Sequence, residues 1–110
     1  MAGRPFSSHD PEKEPKRARA RSKQRERVER NRPLFRRIIA DWLNRPCVDC
    51  GHQFPAPAMQ ADHVRGKKYK ISYFRYGHGS ESALRAELAK CEVRCANCHV
   101  IRHALEDDRN

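Results

Sequence analysis

The 110-residue sequence has no long apolar run. Its opening stretch, MAGRPFSSHDPEKEPKRARARSK, holds no apolar segment of the kind an export signal needs, and nothing elsewhere approaches the length of a membrane span. A soluble, intracellular, cytoplasmic protein is therefore expected. With only 37% hydrophobic residues in so short a chain, a sizeable core is excluded, and the single compact domain that remains needs a staple from metal or disulfides. Five cysteines cannot all pair, and in a reducing compartment paired thiols bind metal more often than they form disulfides.

Acidic side chains are also scarce, with 14 Asp and Glu against 24 Lys and Arg, for a formal net charge of +10. The excess is uneven. Residues 1–32 carry eleven basic and five acidic side chains, residues 33–78 eight and three, and residues 79–110 five and six, giving +6, +5 and −1. Such a balance favours a polyanionic partner, most simply nucleic acid, and a solvated basic surface is the bland alternative.

Composition divides the chain. Residues 1–15, with Pro5, Pro11 and Pro15, are expected to be a disordered tail. The run KRARARSKQRERVER (16–30) has good helix formers but almost no apolar face, so it reads as a basic helix exposed to solvent or lying along an anionic surface. Pro33 suits the first turn of a new helix, in which Leu34, Phe35, Ile38, Ile39, Trp42 and Leu43 form one apolar face, closing a helical extension over residues 16–45. A compact domain over residues 46–105 and an acidic tail over 106–110 follow.

Cys47/Cys50 and Cys95/Cys98 are two C-x-x-C pairs, together the four thiolates that a closed tetrahedral zinc site requires. A redox C-x-x-C would use one pair only, and two disulfides suit the wrong compartment. Gly51 permits the tight reversal after the first pair, and Phe54 and Met59 are expected in a small core. The pairs stand 44 residues apart (95 − 50 − 1), longer than the roughly 15–20 of a common two-knuckle site, so something sizeable lies between them. The fold class expected is a small α+β domain stabilised by zinc.

Within the insert, MQADHVRGKK sets a carboxylate beside an imidazole. On a strand Asp62 and His63 point to opposite faces, so one can serve a metal and the other a water. Next, KKYKISYFRYGHGS mixes basic and aromatic residues. Tyr73, Phe74 and Tyr76 are expected to pack on the core rather than to stack on bases. Ser80 is a suitable N-cap for a helix that turns Ala83, Leu84 and Leu88 inward. A short strand from Cys91 to Arg94 leads to a last helix, on which His99 and His103, four residues apart, share a face. Asp62, His99 and His103 could therefore hold a divalent cation distinct from the zinc. Cys91, the odd thiol, reads as a small apolar residue.

With PCVDCG, MQADHVRG and KCEVRCANCHVIRH in that order over residues 46–103, the chain resembles an HNH endonuclease of the ββα-metal superfamily, of the small zinc-knuckle type found in phages and actinobacteria. The resemblance implies a ββα-metal core behind the N-terminal extension, with Cys47, Cys50, Cys95 and Cys98 on a structural zinc. It further implies His63 as general base, Asp62 and His99 as ligands of a catalytic Mg²⁺ or Mn²⁺, and His103 as the further histidine that some relatives add. Catalysis by His63, Asp62 and His99 would hydrolyse phosphodiester bonds of double-stranded DNA to a 5′-phosphate and a 3′-hydroxyl. Arg65, Lys67, Lys68 and Lys70, just past the base, would grip neighbouring phosphates.

The sequence departs from the family in one respect. The asparagine that steadies the loop carrying the base usually stands a few residues before the second knuckle, where this chain reads Ala89-Lys90-Cys91. Either Asn97, inside the knuckle, supplies that contact from another direction, or backbone does. A second class of function, a non-catalytic zinc-ribbon module binding nucleic acid, uses the same basic surface but has no need of Asp62 and His63.

Overall fold

The structure, a computed structural model, describes residues 14–109, with the side chains of residues 14 and 107–109 outside that description. Most of the expected disordered tail, residues 1–13, thus lies outside the described residues. A 30-residue helix, α1 (Glu14–Leu43), leads through the first cysteine pair and a single 3-10 turn (Ala56–Ala58) into strand β1 (Met59–His63). Helices α2 (Ile71–Arg75) and α3 (Glu81–Leu88) follow, then strand β2 (Cys91–Cys95) and helix α4 (Ala96–Arg109). It is a small α+β architecture around one two-stranded antiparallel sheet, with Met59 opposite Cys95 and His63 opposite Cys91. No helix among the described residues is long and apolar enough to cross a membrane.

Where a new helix was expected at Pro33, α1 runs straight through it. Proline lacks one N–H, a loss of about 3 kcal/mol or more in a helix interior. Packing on both sides of Pro33 offsets that loss. Phe35, Ile38, Ile39 and Leu43 are buried against Phe74, Leu84 and Leu88, while the Asn31 amide donates to the Gly77 carbonyl at 3.2 Å and Arg36 Nε to the Arg75 carbonyl at 3.2 Å. Leu34, a helical step away from Phe35, is exposed, as is Phe54, which rests against His52. Both were expected inside. Met59 is buried, and of Tyr73, Phe74 and Tyr76 only Phe74 is; Tyr73 and Tyr76 stay exposed.

The N-terminal half of α1 stands out from this core, and the long dimension of the molecule is 63 Å. Its docked half meets the turn after α2 at close range. Gly77 has a φ of +98°, and a β-carbon added there would lie 2.1 Å from the Val28 carbonyl oxygen. Gly77→Ala is therefore expected to destabilise the protein by more than about 1 kcal/mol, since left-handed backbone and contact with a helix backbone both oppose it. Chemical denaturation measures this, and an unchanged midpoint would contradict the close approach.

Short-range features set the remaining elements. The Ser80 hydroxyl caps α3 by accepting from Ala83 N–H at 3.1 Å. Helix α4 begins directly at the end of β2 and continues to Arg109, through most of the segment read as an acidic tail.

Candidate metal centre and adjoining cleft

Two groups of ligand-type side chains gather among the described residues, and both lean on the junction of β2 and α4. In the first, the sulfurs of Cys47, Cys50, Cys95 and Cys98 all lie within 4.8 Å of one another. Chain geometry brings the pairs together. Cys47 N–H donates to the His52 carbonyl and Gly51 N–H to the Cys47 carbonyl, both at 2.9 Å, and Gly51 closes the turn at a φ of +75°. Val48 N–H then donates to the Val93 carbonyl at 2.9 Å, laying this knuckle along β2.

A tetrahedral zinc with Zn–S bonds of about 2.3 Å sets its sulfurs about 3.8 Å apart. Cys50 and Cys95 sulfurs stand at 3.9 Å, and the Cys98 N–H points at the Cys95 sulfur at 3.4 Å. The cluster fits structural zinc binding. Without metal the four thiols cannot all ionise. Burial opposes the Cys47 thiolate, but backbone donors around it bring that thiol down to about 6, while its sulfur neighbours, Cys95 foremost, push Cys98 up to about 12. Cys91 stands apart. Burial, reinforced by the charges of Glu87 and Asp62, raises its thiol to about 11, and it donates to the Glu87 carbonyl.

The second group is Asp62, His99 and His103, whose ligand atoms again lie within 4.8 Å of one another. Asp62 Oδ1 is 3.5 Å from His99 Nε2 and 3.7 Å from His103 Nε2. Gln60, two residues back on β1, holds the other ring nitrogen of His99 through its side-chain oxygen, which keeps Nε2 turned to Asp62. Only 3% of Asp62 is exposed, and its second oxygen accepts from Arg94 at 2.8 Å and Arg102 at 2.6 Å.

Buried Arg94 also donates to Asp49 at 2.8 Å, inside the first C-x-x-C pair. One guanidinium thus braces Asp62 against the knuckle. Sequence spacing carries no sign that Arg94 and Arg102 meet Asp62, which lies 32 and 40 residues away.

His63 ends β1, facing α3 rather than α4. Its Nε2 lies 3.1 Å from Oε1 of Glu87, a carboxylate only 2% exposed on the inward face of α3. An acid beside Leu84 and Leu88 on an apolar stripe was the signal that could have identified Glu87. Asn97, by contrast, is exposed on α4 and makes no side-chain hydrogen bond among the described residues. It does not supply the orienting contact.

Although they face different helices, Asp62, His63, His99 and His103 border one cleft of about 270 Å³, with Lys67 and Lys70 on its rim. Arg65 and Lys68 are exposed on the same loop; Arg65 donates to the Ala89 carbonyl at 2.9 Å and the Lys68 ammonium lies over the Tyr69 ring. The arrangement can bind a cation through one carboxylate and two imidazoles, and an anion along its lysine rim. No protein-family model matches this chain, and comparison with curated proteins and with solved structures likewise found no match.

Proposed function

We propose that this protein is a metal-dependent HNH-type endonuclease with a ββα-metal core, hydrolysing phosphodiester bonds in DNA. The observation that carries the reading is the shared cleft: a carboxylate and two imidazoles able to hold a cation, a separate histidine beside them, and lysines at the opening. A binding module built on the zinc knuckles alone has no use for that set.

Asp62, His99 and His103 are the ligands, and their mix of one oxygen and two nitrogens suits Mn²⁺ or a similar divalent ion, with Mg²⁺ also served by the carboxylate. Bound there, the cation supplies Lewis-acid stabilisation of the negative charge on the phosphate and on the departing 3′ oxygen. His63 takes a proton from water, the water oxygen forms the new bond to phosphorus, and the bond to the 3′ oxygen breaks. That oxygen leaves as a hydroxyl after protonation from solvent, and the phosphate stays on the 5′ side. Arg65, Lys67, Lys68 and Lys70 hold flanking phosphates, and the basic half of α1 adds sequence-independent attraction that weakens with salt.

Purified protein is expected to nick supercoiled plasmid with Mn²⁺ or Mg²⁺ and to stop when both are chelated. Protein that retards DNA on a gel but cuts with none of several divalent metals would leave the zinc-ribbon binding module as the reading.

A further inference from the structure

Among the described residues no carboxylate accepts more hydrogen bonds than Glu87, yet it lies on none of the three motifs. Three donors converge on its Oε1: the backbone N–H of Lys68 at 2.8 Å, that of Tyr69 at 3.2 Å, and His63 Nε2 at 3.1 Å. Lys90 Nζ serves Oε2 at 3.1 Å. Burial works against its ionisation, but the two backbone donors and Lys90 outweigh it and hold the carboxyl at about 2. It is a carboxylate at every pH at which the fold would operate.

A carboxylate can only accept, so the hydrogen between these groups belongs to His63 Nε2. The lone pair is left on Nδ1, which has no protein partner among the described residues, on a ring that borders the cleft. The backbone that Glu87 holds is equally placed, because Lys68 and Tyr69 lie in the loop that carries Lys67 and Lys70 to the rim.

We propose that Glu87 is the positioning residue of the site: it fixes the tautomer and orientation of the His63 ring and, through the same oxygen, the loop that presents the lysines. The inference rests on the nuclease reading for its catalytic meaning, but the tautomer is a property of the protein alone. Glu87 thereby performs from α3 the steadying role for which the sequence offers no asparagine at the usual place.

Nitrogen-15 NMR of the histidine rings tests the core of the proposal directly. With the ring in its neutral form, wild type is expected to show the His63 hydrogen on Nε2; a hydrogen on Nδ1, or an even mixture of tautomers, overturns the inference whether or not the protein cuts DNA. Wild type that never cuts removes the nuclease reading instead and leaves the tautomer result standing.

Two variants extend the test. Glu87→Ala, with zinc content retained, is expected to fall from a single tautomer to the mixture of an unconstrained ring and to lower kcat about a hundredfold, with DNA affinity lowered by much less as the lysine loop loosens. Glu87→Gln can still turn a carbonyl to His63 and the loop, while its amide nitrogen displaces the part-exposed Lys90 ammonium towards water, so it is expected to keep the Nε2 hydrogen and to cut within about tenfold of wild type. Equal cutting by wild type and Glu87→Ala, or a Glu87→Ala ring that stays as purely in the Nε2 tautomer as wild type, would remove Glu87 from this role. Where Glu87→Ala does not fold, a Glu87→Gln protein that keeps its zinc but has its hydrogen on Nδ1 overturns the proposal.

Discussion

Protein prepared without zinc, or carrying Cys95→Ser, is expected to lose its cooperative melting transition and its near-ultraviolet circular dichroism. The expectation follows from magnitudes. A structural zinc in a small domain contributes on the order of 10–16 kcal/mol of apparent binding energy, comparable to or larger than the roughly 5–15 kcal/mol net stability of a typical domain. Here the core that would have to hold unaided is slight, resting chiefly on Phe35, Ile39, Leu43, Met59, Phe74, Leu84, Leu88 and Val93.

Among the described residues a backbone bond from Val48 and the Arg94–Asp49 pair hold the first knuckle to β2, and the cluster adds Cys98 of α4. Cys95 is the informative position, because it is buried and ends the strand on which α4 begins. Elemental analysis should give one zinc per folded chain. A zinc-free protein that melts at the same temperature as the zinc-loaded one would remove the structural role of the cluster.

The second large effect is catalytic. His63→Ala is expected to lower the plasmid cutting rate by about 10²- to 10⁴-fold, the usual contribution of a positioned general base, while zinc content and DNA retardation stay at wild-type levels. His63 is the better target than Asp62. Removing Asp62 would take one carboxylate from buried Arg94, leaving Asp49 and Glu92 among the described residues, and one from Arg102, leaving Glu106 among them, so lost activity would be mixed with lost stability. His63→Ala leaves Glu87 with its two backbone donors and Lys90. Cutting by His63→Ala at the wild-type rate would end the assignment of this residue as base, even if the protein proved to be a nuclease.

What could be read from the sequence is what depends on local spacing. Two C-x-x-C pairs announce a four-sulfur cluster whatever separates them, and histidines four apart on a helix must share a face. The apolar face of α1 was readable for the same reason, as was the Ser80 cap.

What escaped was set by distant partners. Pro33 breaks an isolated helix, and only the packing of Phe35 and Ile39 and the grip of Asn31 on Gly77 keep α1 continuous. Leu34 and Phe54 stay exposed although local pattern places them with the apolar residues around them. Charged side chains were the least readable. Arg94 and Arg102 look like surface residues until the fold turns both to Asp62, and the pairs that helical spacing does offer, Arg102 with Glu106 and Lys90 with Glu87, give no sign of that meeting. Short α2 left little pattern of its own, since its five residues take their place from Ile71 and Phe74 in the core.

The continuity of α1 has one further consequence. Thirty residues of helix measure about 45 Å, and the half that carries most of its basic side chains is joined to the core by rigid helix, not by a tether. A flexible tail would let its charges search a sphere around the molecule and accept a polyanion from any bearing. A rod seated by Phe35, Ile39 and Leu43 offers them on one fixed line relative to the core.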